Sequence, residues 1–193
     1  MLDKSKVIEK WTGEKAIRFL HSTGAIPTGY IAEILSNETV EHQVLEVGCG
    51  AGRIAPLFVA DEYLGIDINV VAIKQAQEAH SEYDFRQQNW DDDFPKGRSN
   101  ILFWTVLLHV PDECLSGVIE KCTKSGAKRI FVVESMSSRY RKMGMDFQRD
   151  SEDYKLAFQR HGWGCILQVS EVNNGFPEHM DLLVFHKDRK EVE

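Results

Sequence analysis

The chain lacks the features that direct a protein into a membrane or out of the cell. No run approaches the ~18 consecutive apolar residues that a helical span needs. The opening Met-Leu-Asp-Lys-Ser-Lys has no apolar signal core, so cytosol is the expected compartment. Cysteine is scarce: there are 4, at positions 49, 114, 122 and 165, with no Cys-x-x-Cys pair and no histidine in zinc spacing. They read as reduced thiols in or near the core, and no metal is expected. Positive charge is also in short supply. Against 30 Asp and Glu stand 23 Lys and Arg, a net charge of −7, so a nucleic-acid partner held by a broad basic surface is not expected. No internal repeat and no linker divides the 193 residues, and the only tail begins at Lys187. What remains is one globular domain, 42% hydrophobic and 27% charged, large enough to bury a substantial core.

The most informative stretch is Val44-Leu45-Glu46-Val47-Gly48-Cys49-Gly50-Ala51-Gly52-Arg53-Ile54. It reads as a buried strand running into a tight glycine turn and then a helix. Glycine tolerates positive φ and lets a ligand approach the backbone closely. A helix that follows presents unpaired N–H groups and the positive end of its dipole. A dinucleotide-binding loop wants its third glycine at position 53, where this chain has Arg53, and a nicotinamide oxidoreductase is disfavoured on that ground.

Strand and helix patterns alternate along the chain. Helices are expected over 5–21, from 30 to about 37, and over 53–60, 70–79, 113–123 and 152–160. Strands are expected over 43–47, 63–68, 83–87, 101–105, 129–134, 166–172 and 180–186. Residues 129–134, Arg-Ile-Phe-Val-Val-Glu, are nearly all apolar between their ends, as a central parallel strand should be. Gly162 suits the end of a helix, and Asn173-Asn174-Gly175 suits a hairpin turn. Five strand–helix units followed by a hairpin give an α/β fold. Its sheet is doubly wound, mostly parallel and seven-stranded, with an antiparallel last strand. In such a sheet a ligand sits beyond the carboxyl ends of the strands, at the topological switch point. Those ends here are residues 46–52, 67, 89–90, 104–109 and 134.

The spacing Glu-x-Gly-x-Gly-x-Gly at 46–52 resembles the first motif of the class I (Rossmann-like) S-adenosylmethionine (SAM)-dependent methyltransferases. The order of elements, over roughly residues 40–187, is similar to theirs as well. So is Leu107-Leu108-His109-Val110-Pro111-Asp112, which keeps one histidine of the Leu-His-His-Val-Pro-Asp run common in small-molecule members. The resemblance implies SAM as cofactor, held on Glu46, Gly48, Cys49, Gly50, Gly52 and Arg53. Asp67 would accept both ribose hydroxyls, and Ile68 would lie against the adenine. Asn89 stands where the family usually offers an acid to the adenine amine, with Asp91 as the fallback; Trp90 and Trp104 would wall the pocket. His109 is the expected catalytic base, because a near-neutral imidazole suits removal of a proton from a hydroxyl or ammonium. Glu134 and Tyr140 are the alternatives. Each position also has a plainer reading. Asp67 can cap the next helix, and Asn89 can be a turn residue. Trp90 and Trp104 can be core, His109 can be structural, and Asp91-Asp92-Asp93 can be a solvated loop.

Methyl transfer from a sulfonium asks the protein mainly to align the reacting atoms and exclude water. The acceptor pocket is expected from two segments. One is residues 1–40, an N-terminal helical lid carrying Trp11, Arg18, His21 and Tyr30. The other is 135–150, with Arg139, Tyr140, Arg141 and Lys142, whose plainer reading is a solvated loop. The resemblance implies O- or N-methylation of a small metabolite. Where nucleic-acid amino methyltransferases carry Asn-Pro-Pro-Tyr, this chain has Trp104-Thr105-Val106-Leu107, which argues against that branch. Gly-Cys-Gly-x-Gly-Arg-Ile, His109 and Arg149-Asp150 are also similar to enzymes that methylate protein N-terminal amines, which stands as the alternative. A non-catalytic SAM-fold binding module is a third reading. Monomer and homodimer both remain open.

Overall fold

The computed structural model describes residues 4–12, 30–39, 41–136, 147, 149–172 and 180–187. Two helices come first, α1 (Lys4–Thr12) and α2 (Tyr30–Glu38). Then follow β1 (Val44–Val47), β2 (Tyr63–Asp67), α3 (Val70–Ala79), β3 (Asp84–Gln87) and β4 (Asn100–Trp104). The chain continues through α4 (Asp112–Ser125), β5 (Arg129–Glu134), α5 (Ser151–Gln159), β6 (Trp163–Val172) and β7 (Met180–Lys187). The sheet has seven strands in the order β3-β2-β1-β4-β5-β7-β6. β7 runs antiparallel to β5 and to β6, while the five strands before them pair in parallel. The order reverses between β1 and β4, which places the switch point there.

The central strands are apolar on both sides because both sides are covered. One face of the sheet, through Leu45, Phe103, Val132 and Phe185, packs against α4 and α5 with Trp90 and Phe94. On the other face, Leu102, Trp104, Phe131 and Val133 meet Ile34 and Leu35 of α2. Tyr63 and Phe85 meet α3 on that same side through Ile73 and Ala76. Asn69 caps α3, its side chain accepting from the N–H groups of Val71 and Ala72. A reciprocal capping box between Asp150 and Asp153 opens α5.

Three expectations are corrected. In place of an α-helix over 53–60, two short 3₁₀ turns occur, Ala55–Leu57 and Ala60–Glu62. Pro56 has no N–H to donate, and the bonds that form reach back three residues, as from Leu57 N–H to Ile54 C=O at 3.0 Å. The link from β3 to β4 contains no helix, as expected, and an α-helix follows only β2, β4 and β5 among the described residues, three strand–helix units where five were expected. β6 begins at Trp163, earlier than 166, because the fully buried Trp163 indole packs into the core and donates to Thr123 Oγ1 at 3.0 Å. The rest of the helix expected over 5–21 and the turn at 173–175 lie outside the described residues.

Candidate active site

At the end of β1 the chain makes its glycine turn, with Gly48, Gly50 and Gly52 at φ of 76°, 55° and 76°. Two of these positions have no room for a side chain. A Cβ at Gly48 would lie 2.3 Å from Val106 Cγ2, and one at Gly52 would lie 2.7 Å from Phe85 Cζ. The first turn is tied to β2, since the N–H groups of Gly48 and Cys49 both donate to Ile66 C=O at 2.7 and 3.0 Å. Cys49 is buried, and its thiol is pushed well up by that burial.

Asp67, at the end of β2, reaches back into this turn. Its Oδ2 accepts from Gly50 N–H at 2.8 Å and its Oδ1 from Asn69 N–H at 2.8 Å. Burial raises the Asp67 carboxyl above its usual range, with the backbone donors acting in the opposite direction. The helix cap itself is Asn69, so the capping role open to Asp67 in the sequence falls to its neighbour. Ile68 is half-buried beside it. Glu46 lies beneath the turn, buried, and accepts from Tyr63 Oη. Burial pushes its carboxyl up to about 7, against the pull of the Tyr63 hydroxyl and Arg53. The Arg53 guanidinium stands 5.4 Å from the Trp104 ring, so the end of β1 and the end of β4 meet through these two side chains.

The loop after β3 is arranged as a turn. Asn89 Oδ1 accepts from Asp91 N–H at 3.1 Å, and Asn89 N–H donates to Asp92 Oδ2 at 3.1 Å. Asp91 pairs with Lys4 of α1 and with Lys121 of α4, the latter at 3.2 Å. Burial works to raise its carboxyl, and the two lysines outweigh it and lower it. Trp90 joins the main core cluster, and Trp104 packs in the core on the opposite face.

After β4, Thr105 takes a left-handed φ of 55°, unusual for a β-branched residue. His109 ends a 3₁₀ turn, Leu107–His109, and its ring lies 4.3 Å from that of Trp11 at 52°. Its Nδ1 is buried with no hydrogen-bond partner among the described residues. Burial, with the positive charge of Lys10, lowers the imidazole to about 3, which leaves the ring neutral near pH 7 and a weaker base than an ordinary imidazole. Ser135 Oγ, just past β5, is likewise buried without a partner among the described residues.

The fold therefore gathers Glu46, the glycine turn, Arg53, Asp67 and Trp104 around the switch point, and brings Trp11 onto His109. Tyr30 opens α2, but its side chain, with Arg18, His21, Arg139, Tyr140, Arg141 and Lys142, lies outside the described residues. Sequence reasoning missed Asn69, Tyr63 and Thr105. The Asp-x-Asn ahead of an apolar helix signals the cap at Asn69. Nothing local signals the other two.

A methyltransferase-domain family model matches residues 38–174. No curated protein matches significantly in sequence. Among solved structures, magnesium protoporphyrin IX methyltransferase from Synechocystis PCC 6803 with bound S-adenosylhomocysteine (SAH) superposes with a TM-score of 0.75 at 16% identity, covering 96% of this chain and 100% of that one. A SAM-dependent methyltransferase from Methanosarcina mazei gives 0.67 at 18% identity, covering 80% and 96%. A glycopeptide N-methyltransferase complexed with SAM gives 0.67 at 12% identity, covering 91% and 98%. With the sheet order, the glycine turn and the family match in agreement, the chain belongs to the class I SAM-dependent methyltransferase family.

Proposed function

We propose that this protein transfers a methyl group from SAM to an oxygen or nitrogen atom of a small polar metabolite. The single observation that carries the reading is the tie between Asp67 and Gly50 at the switch point. An ionised carboxylate offers about four lone-pair sites. Asp67 turns some of these to the backbone N–H groups of Gly50 and Asn69, with Ile68 adding a third backbone contact, and what remains can accept from a ribose. The residues present thus fit the cofactor.

SAM, when bound, supplies an electrophilic methyl on a sulfonium. Glu46, the turn 48–53, Asp67 and Ile68 would hold it. Asn89 has an acceptor lone pair left beside its turn bond and suits the adenine amine better than Asp91, which two lysines already occupy. Trp90 and Trp104 support the pocket from the core rather than lining it openly.

On the acceptor side, His109 Nδ1 and Ser135 Oγ are buried polar atoms in need of partners, which favours a polar acceptor over a hydrocarbon one. A neutral His109 orients that acceptor by a hydrogen bond and removes no proton. α1 roofs the rim: Lys4 reaches the loop after β3, Trp11 covers His109, and the Trp11 carbonyl accepts from Asn69 Nδ2 at 2.9 Å. We infer that residues 1–40 form a lid on a single domain spanning 1–193, a reading that the α1 contacts support, and that Trp11, Arg18 and Tyr30 from the lid, with Arg139 and Tyr140 from the segment after β5, contact the acceptor. No helix among the described residues is long and apolar enough to cross a membrane.

Calorimetric titration with SAM, SAH and NAD tests the cofactor, and a panel of small acceptors with labelled SAM tests the transfer. SAM and SAH should bind and stabilise the native state by about 1.4 kcal/mol at a ten-fold excess over the dissociation constant, which raises the melting temperature. Binding of NAD alone overturns the reading. Transfer only to a peptide with a free α-amine moves the substrate to protein, and binding without any transfer makes the protein a SAM-fold module.

A further inference from the structure

The segment 105–112 forms the wall between the cofactor turn and the acceptor side, yet it contains little that would hold its own shape. It starts at Thr105 in the left-handed region and continues as a single 3₁₀ turn. Two residues remote in sequence grip it from opposite sides. Glu134, fully buried at the end of β5, accepts on Oε1 from Val106 N–H at 2.9 Å and Leu107 N–H at 2.7 Å. Arg149, also buried, takes the carbonyls: Nη1 donates to Leu107 C=O at 2.8 Å and Nη2 to Val110 C=O at 2.7 Å. Its Nε donates to Asp112 Oδ1 at 2.9 Å. The Phe147 and Tyr154 rings flank the guanidinium at 6.0 and 5.9 Å.

What this grip holds in place is the site. Val106 is the side chain that fills the space a Cβ at Gly48 would need, so the segment and the cofactor turn share one packed boundary. His109 ends the 3₁₀ turn that Glu134 anchors at Leu107, and it is followed by Val110, whose carbonyl Arg149 holds. The strained φ at Thr105 persists only where the surroundings over-determine it, and a planar fork plus a carboxylate supply that constraint.

We propose that Glu134 and Arg149 are positioning residues for the methyl-transfer site, clamping 105–112 so that Val106 seats against the cofactor turn and His109 faces the acceptor. The proposal rests on the SAM reading above. It separates shape from charge at Glu134, because a glutamine oxygen there can accept the same two N–H groups.

The test measures SAH affinity by calorimetry at a temperature where circular dichroism shows each variant folded, alongside its melting temperature. Glu134→Ala should weaken SAH binding by at least about ten-fold. Glu134→Gln should keep the melting temperature near that of wild type and bind SAH within about three-fold of it. Arg149→Lys keeps a positive charge near Asp112 but cannot reach both carbonyls from one planar group, and should weaken binding as Glu134→Ala does. Should Glu134→Ala not fold, Arg149→Lys decides the question. Wild-type affinity in folded Glu134→Ala or Arg149→Lys overturns the proposal. So does failure of both to fold, since the network would then hold the fold and not the site. A wild-type protein that binds no SAH refutes the SAM reading instead, which keeps the two failures apart.

Discussion

Replacing Asp67 by alanine should damage the cofactor site twice, and the two effects can be measured separately. The carboxylate ties the glycine turn to the start of α3 through Gly50 and Asn69, each at 2.8 Å. Hydrogen bonds to a charged group are worth about 1.5–3 kcal/mol each, but the raised carboxyl pKa means burial already offsets part of that gain. Both donors belong to buried residues, Gly50 and Asn69, so loss of the carboxylate leaves their N–H groups without that partner. The expected loss of folding stability is therefore about 1–3 kcal/mol, a fall in Tm of roughly 2–10 °C for a domain of this size. SAH affinity should fall further, by roughly 10- to 100-fold, if the carboxylate also accepts the ribose hydroxyls. A ligand–protein double cycle separates contact from loop organisation. SAH and its 2′-deoxy analogue are titrated calorimetrically into wild type and Asp67→Ala. Direct contact predicts that the wild type penalises loss of the 2′-hydroxyl and that Asp67→Ala does not. An equal penalty in both proteins would refute the contact and leave Asp67 as an organiser of the turn.

Other outcomes follow from the same geometry. His109, held at about 3 by burial, should show ring resonances that do not move between about pH 5 and 8; a titration midpoint near the ordinary imidazole value of 6.5 by two-dimensional NMR would contradict the neutral ring. Glu46 and Glu134 are raised from 4.5 to about 7 and about 8, so in that window the native state holds protons that the unfolded chain releases. Stability should fall as pH rises from 4.5 through about 8, each group contributing up to about 1.4 kcal/mol per pH unit. Urea midpoints across the range measure this, and Glu134→Gln should flatten the upper part of the profile. Gly48→Ala places a methyl 2.3 Å from Val106 Cγ2 at a φ of 76°. It should cost about 1–3 kcal/mol and weaken SAH binding; a wild-type Tm would show that the turn yields.

The sequence by itself determined the frame and the chemistry of the cofactor turn. Strand β5 and helix α3 stand where the apolar runs put them, because burial on both sheet faces and a 3.6-residue apolar stripe are written residue by residue. The glycines at 48, 50 and 52 and the acid at 67 were legible for a similar reason, since positive φ and a strand-end carboxylate are local properties. Tertiary structure alone decided what depends on distant neighbours. Whether His109 is basic is set by burial and by Lys10 of α1. Asp91 is occupied because Lys4 and Lys121 converge on it from two helices. Trp90 became core once β3 and β4 placed it against α4. The clamp on 105–112 joins Glu134 and Arg149 across 28 and 42 positions of chain, a distance over which no local pattern carries information. A side chain's identity fixes what it can do, but its solvent, its partners and hence its pKa come from whatever the fold packs around it.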